Sequence, residues 1–110
     1  AAEDGMTEAQ YELGMLYSLD KKKEKQAREY IYQSAIKGYH KAQKAMGDCY
    51  RDGTLGISVS LKDANEWYKK AAYNGNHVAM KHLGQYYEGI GNPKRAKYWY
   101  KKAEARKAID

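Results

Sequence analysis

Phenylalanine is absent from this chain of 110 residues, cysteine and proline each occur once, and no apolar run approaches the length of a membrane span. Each shortage excludes something. A lone Cys49 cannot close an intramolecular disulfide, so the fold must hold without cross-links, and the compartment stays open on that ground. The single proline, Pro93, leaves the backbone free to run in long helices. Metal-ligand spacing is missing too. There is no C-x-x-C or H-x-x-x-H, and His77 and His82 stand five apart, off a common helical face. His40, His77, His82 and Cys49 therefore read as surface or seam residues, and no metal is expected. Gly89-Ile90-Gly91 lacks the strand and the remaining glycines of a phosphate loop. Cys49 falls in mid-helix with no positioned base, and the carboxylates are scattered. Neither an enzyme nor a cofactor is expected from such a chain.

What is abundant points elsewhere. Twelve tyrosines and two tryptophans supply the aromatic content, and hydrophobic residues make up 43 %. That is a globular composition, and the length suits one domain with a real core. Tyrosine, apolar in its ring and polar at its tip, suits half-buried seams. Lysine and arginine number 20 against 14 acidic residues, a net charge of +6, which favours acidic partners. The signs are interspersed, however, and the local run Lys21-Lys22-Lys23 with Lys25 reads as a solvated turn.

The strongest signal is internal repetition. Ala9 to Tyr17, Ala42 to Tyr50 and Ala79 to Tyr87 each read A-x-x-x-(L/M)-G-x-x-Y, at steps of 33 and 37 residues. A second block follows each first one: Ala27-Arg28-Glu29-Tyr30, Ala64-Asn65-Glu66-Trp67 and Ala96-Lys97-Tyr98-Trp99. Seven residues beyond each alanine comes a small residue, Ser34, Ala71 or Ala103. Ala9, Leu13 and Tyr17 are four apart and share one helical face, and Gly14 removes a side chain where a neighbouring helix comes close. Small residues alternating with large ones let two helices interlock as a hairpin. One hairpin cannot bury both faces, so hairpins must stack.

The punctuation agrees. Thr7 with Gln10 reads as a capping box opening the first helix. Gly38 and Gly75 stand at left-handed C-cap positions, Asn76 can cap the next helix, and Asn92-Pro93 places a cap before a first-turn proline. The pattern predicts helices over about 7–18, 23–37, 40–51, 61–74, 77–88 and 93–107. The fold is expected to be all-α, an α/α solenoid of three tandem helix-turn-helix units in a single domain spanning residues 1–110. The units are read as about 5–37, 38–74 and 75–107. Residues 1–4 match the stretch before Gly75 in phase and read as the tail of a preceding unit. On that reading the N-terminal end exposes an apolar seam that invites self-association, and the polar far end reads as a cap.

These residues resemble the Sel-one-like repeat family, a relative of the tetratricopeptide repeat. The stretch Ala35 to Ala72 carries most of the family pattern: Gly38, Ala42, Met46-Gly47, Tyr50, Gly53, Gly56, Ala64, Trp67-Tyr68, Lys70 and Ala71-Ala72. The third unit matches through Leu83-Gly84, Tyr87, Ala96 and Trp99-Tyr100-Lys101-Lys102-Ala103. The first unit departs from it, with a lysine-rich loop and with Tyr30-Ile31 in place of the aromatic pair. The resemblance implies an adaptor or scaffold that works by protein–protein interaction. Its relatives act in signalling, secretion, toxin immunity and protein quality control.

A stack of hairpins curves, with its first helices on the concave side. The face opposite Ala9, Leu13 and Tyr17 carries Glu8, Tyr11, Met15 and Ser18. Its equivalents are Lys41, Lys44, Asp48 and Arg51, then Val78, Lys81, Gln85 and Glu88. The expected partner is a protein or peptide with acidic character. Tyr11 and Met15 would give apolar contact and Lys41, Lys44, Arg51 and Lys81 a positive strip, none of them on the packing face. The alternatives are a basic solenoid that binds nucleic acid or another polyanion, and an immunity-type protein that blocks a toxin. Against nucleic acid, Trp67 and Trp99 occupy packing positions and the charge excess is modest.

Overall fold

A computed structural model describes the backbone of residues 2–109 and the side chains of residues 5–109. Six helices follow one another: α1 (Ala2–Tyr17), α2 (Glu24–Ile36), α3 (His40–Asp52), α4 (Leu61–Tyr73), α5 (His77–Gly89) and α6 (Pro93–Ile109). A short 3-10 turn, Lys21–Lys23, leads into α2, and there is no strand among the described residues. The pairs α1–α2, α3–α4 and α5–α6 form hairpins, and α2–α3 and α4–α5 contacts join them into a slab of 42 × 34 × 19 Å.

Helix ends follow the local chemistry. Ser60 accepts the Asp63 N–H, Asn76 the Ala79 N–H and Asn92 the Arg95 N–H, each satisfying a donor that the first turn would leave unpaired. Gly38 and Gly75 turn left-handed at φ 96° and 93°, so Tyr39 N–H reaches the Ser34 carbonyl and Asn76 N–H that of Ala71.

The start of α1 departs from the expectation. Residues 2–4 are helical and continuous with α1, and Ala1 lies outside the described residues. Gly5 is not among the glycines with positive φ, and nothing stands within 4 Å of where its Cβ would be. No packed neighbour forces a turn there, so the helical ladder continues. Thr7 therefore lies inside α1 rather than capping it, buried, with its carbonyl accepting the Ser34 hydroxyl of α2 at 2.9 Å.

Each hairpin closes on its helical glycine. A Cβ on Gly14 would stand 2.6 Å from the Ile31 side chain, one on Gly47 2.6 Å from the Tyr68 ring and one on Gly84 2.7 Å from the Tyr100 ring. The small residues of the second helices, Ala27, Ser34, Ala64, Ala71, Ala96 and Ala103, are all buried at the seams. Ala42, Met46, Ala79 and Leu83 are buried as the repeat requires, but Leu13 is half-buried and Ala9 exposed. Their equivalents are covered by the second helix of the hairpin before, and α1 packs against no such helix.

The α3–α4 loop holds one strained residue. Leu55 sits at φ 54°, a conformation costing a non-glycine residue about 1–2 kcal/mol. Its side chain is buried against the Ile31–Met46 cluster and its carbonyl accepts from Arg28 Nη1 at 2.8 Å, and these contacts hold it there.

Candidate functional site

The phase of the repeat sets α1, α3 and α5 side by side, and their exposed faces share one open cleft of about 530 Å³. Tyr11 lines it from α1, Lys41 and Lys44 from α3, and Val78 from α5, with His40, Asn76 and His77 at the helix starts. Met15 faces a different hollow of about 270 Å³ beside Ile31, Ala45 and Leu55, together with Asp48. Arg51 and Gln85 border a third with Tyr68, His82 and Tyr86. Glu8 is exposed on α1, and Lys81 and Glu88 on α5. The candidate residues thus divide among separate depressions.

Charge pairing reshapes that face. Asp48 gathers Lys44 at 2.7 Å and Arg51 at 3.6 Å on its own helix, and accepts the Tyr68 hydroxyl of α4 at 2.5 Å. His82 of α5 lies 4.0 Å from the same carboxylate and stacks on the Tyr68 ring at 4.4 Å and 17°. Arg51 also holds Asp52 through two contacts of 3.0 Å, which raises its own pKa and lowers that of Asp52. Burial, with the hydrogen bond to Asp48 second, pushes the Tyr68 hydroxyl well above its ordinary pKa and keeps it a donor. Lys44 and Arg51 are therefore largely neutralised within the fold. Among the described residues Lys41 and Lys81 have no carboxylate partner, so the free positive charge of the face rests with them.

Tyr11 also differs from the expectation. It is half-buried and meets the Tyr39 ring edge-on at 5.4 Å, against the cluster built on Ile31 and Met46. Burial raises its pKa first, with Lys44 opposing. Tyr11 thus packs as well as lines the cleft, because Tyr39, just before α3, reaches back to α1. Glu88 accepts the Tyr100 hydroxyl at 2.5 Å. Cys49 is buried in the seam and burial raises its thiol pKa, the state of an inert packing residue.

Two members of this constellation, Tyr68 and His82, carried no functional reading in the sequence. The i,i+4 pair Lys44–Asp48 is visible in it, whereas Tyr68 depends on how α3 and α4 pair within a hairpin and His82 on how that hairpin stacks on the next. Among the described residues no group of three or more His, Cys, Asp or Glu side chains is placed to hold a metal ion, and no helix is long and apolar enough to cross a membrane.

Comparison with known proteins points one way. The sequence model of the Sel1 repeat matches three times, over residues 7–39, 40–76 and 77–107. The crystal structure of a Sel1 repeat protein from Oxalobacter formigenes superposes with a TM-score of 0.80 at 31 % identity, covering 96 % of this chain and 85 % of that one. DAP3-binding cell death enhancer 1 of Rattus norvegicus is 36 % identical over 73 residues, which are 66 % of this chain and only 14 % of that protein.

Proposed function

This chain belongs to the Sel1 repeat family, whose members are generally protein–protein interaction modules and typically non-enzymatic scaffolds, and on that premise we propose that its first-helix face holds a segment of a partner protein. The observation that supports this is the cleft shared by α1, α3 and α5, with an aromatic wall at Tyr11, an aliphatic one at Val78 and the unpaired cation Lys41 between them. Such a surface fits an extended segment bearing an apolar side chain and a carboxylate. The aromatic contact supplies most of the affinity, and the lysines steer and orient. The rat relative's name records binding to another protein, which agrees with this reading. Glu8, Met15, Asp48, Arg51, Gln85 and Glu88 form the border of the surface, and Asp48 sets how much charge Lys44 and Arg51 show outward.

The test is capture of a partner on the immobilised chain, followed by binding kinetics at two salt concentrations. The charge reversals Lys41→Glu and Lys81→Glu should each lower the association rate about three- to tenfold at low salt, less at high salt, with little change in dissociation. Parental binding by both variants, alongside loss of binding in Lys101→Glu on α6, would move the working surface to the second helices.

A further inference from the structure

A pocket of about 330 Å³ opens between α4, α5 and α6, away from every residue of the first-helix cleft. Its floor is apolar, Leu83 and Trp99, both buried. Tyr73 and Tyr98 rise beside Trp99, edge-on to it at 5.7 and 5.2 Å, and are left 71 % and 53 % exposed. Lys69, Lys94 and Arg95 complete the lining, which contains no carboxylate. Arg95 lies over the Tyr87 ring at 5.6 Å and reaches its hydroxyl at 3.4 Å, so its guanidinium is already oriented. Among the described residues none of the three cations has an acidic partner.

The fold does not demand this chemistry. The matching positions one joint earlier, around α2, α3 and α4, are Tyr32 for Lys69, Ile36 for Tyr73, Lys62 for Lys94, Asp63 for Arg95 and Glu66 for Tyr98. There Tyr32 packs edge-on to Trp67 at 6.2 Å. The earlier joint thus carries one cation and two carboxylates where the later one carries three cations and none. An apolar floor, exposed aromatic walls and an unopposed positive rim make up a receptor for an apolar group bearing negative charge.

We propose that this pocket binds an acidic segment of a partner protein, seating one aliphatic or aromatic side chain on Leu83 and Trp99 while flanking carboxylates meet Lys69, Lys94 and Arg95. The buried floor of Leu83 and Trp99 suits an aliphatic or aromatic side chain, and a nucleotide is the competing occupant that the titration tests. The inference does not rest on the first-helix reading, since the two sites share no residue.

The experiment is a two-dimensional amide NMR titration of the whole chain with three probes. These are a short synthetic peptide with one leucine among glutamates and aspartates, the same peptide with lysines replacing the acids, and adenosine monophosphate. The acidic peptide should shift the Tyr87, Arg95 and Trp99 signals, the Trp99 indole included, and the lysine peptide should leave them in place. The double change Lys69→Glu with Arg95→Glu should weaken acidic-peptide binding about tenfold or more. Both residues are exposed, and a thermal melt checks that the variant still folds. Lys22→Glu, an exposed change outside both sites, should leave the affinity read from the Trp99 indole unchanged, and the position of the shifts separates the pocket from the first-helix cleft. No shift at the pocket with millimolar acidic peptide, shifts confined to α1 and α3, or tighter binding of adenosine monophosphate would each overturn the proposal. If the double variant failed to fold, the contrast between acidic and lysine peptides on the parent chain would decide alone.

Discussion

In the second hairpin the ring of Tyr68 lies on Gly47 and its hydroxyl is held by Asp48; in the first, Ile31 lies on Gly14 and has no hydroxyl to hold. The third hairpin repeats the tyrosine, Tyr100 on Gly84, but its hydroxyl reaches Glu88 at the exposed surface. Met46 and Leu83 are each 2 % exposed, whereas Leu13 in the same phase is half-buried. One pattern written three times therefore gives three different local environments. A repeat acquires its full packing only where a hairpin precedes it, and its polar locks depend on which side chains the neighbouring helices contribute.

The largest expected effect tests that gradient directly. Leu83→Ala should cost about 2–5 kcal/mol, a large share of a typical domain's margin of about 5–15 kcal/mol. Leu13→Ala, at a half-buried site, should cost about 1 kcal/mol or less. Urea unfolding of the two variants measures both values. Equal losses would show that α1 is as tightly packed as α5 and would remove the distinction between the hairpins.

Glycine closure gives the next contrast. Gly47→Ala drives a methyl into a Tyr68 ring that is 2 % exposed, stacked on His82 and tied to Asp48, so it should cost about 1–3 kcal/mol through overpacking. Gly84→Ala meets a Tyr100 ring at nearly the same distance, but that ring is half-buried and can swing outward. Its strain should be nearly offset by alanine's helix preference of about 1 kcal/mol over glycine. A Gly84→Ala melt as depressed as that of Gly47→Ala would mean that the exposed ring is no freer than the buried one.

These contrasts mark how far the sequence could be read. Helix number, helix spans and the second-helix seam were legible, because spacing, capping residues and small residues are local properties that recur in phase. The glycine closures were legible in kind, since a glycine beside the core leucine has few other uses in a helix interior. The true start of α1 was not, because Thr7 and Gln10 satisfy the wording of a cap while a helix continues through Gly5 unopposed. Nor was the shallow burial of Leu13, whose sequence neighbourhood equals that of Leu83 and whose difference lies in a missing contact. On the first-helix face the pairs Lys44–Asp48 and Arg51–Asp52 lie close in sequence, but the Tyr68 and His82 side chains that meet Asp48 come from two other helices, which no local pattern showed.

Removing a single hydroxyl sharpens the comparison further. Tyr68→Phe takes a donor from a half-buried carboxylate and should cost about 1.5–3 kcal/mol, the range for a hydrogen bond to a charged group. Tyr100→Phe removes an exposed partner of Glu88 and should fall within about 0.5 kcal/mol of the parent. The two thermal melts read this out, and a silent Tyr68→Phe would reduce the Asp48 network to a surface ion pair.

The smallest effect is one of pH, and it belongs to the α3–α5 joint alone, because Ala45 stands in α3 where α5 has His82. Facing the imidazole are Lys44, Asp48 and Arg51 from α3, Tyr68 from α4 and Gln85 from its own helix. Burial, followed by the Arg51 guanidinium, holds the His82 pKa below its ordinary 6.5, while Asp48 and Gln85 pull the other way and do not prevail. A base whose folded pKa is depressed binds fewer protons folded than unfolded in the window between the two values, so stability rises with pH across that window. The contribution of His82 is therefore intact above pH 6.5 and is lost as the pH falls below it toward the folded value. His82→Gln keeps a polar side chain without the titration and should flatten the stability profile between neutral pH and the mildly acidic range. Denaturation curves for parent and variant at stepped pH measure the difference. Parallel profiles would mean that the Asp48 carboxylate compensates fully for burial of the charged ring. A parent that gained stability on acidification through that window would show that Asp48, and not Arg51 and burial, governs the joint.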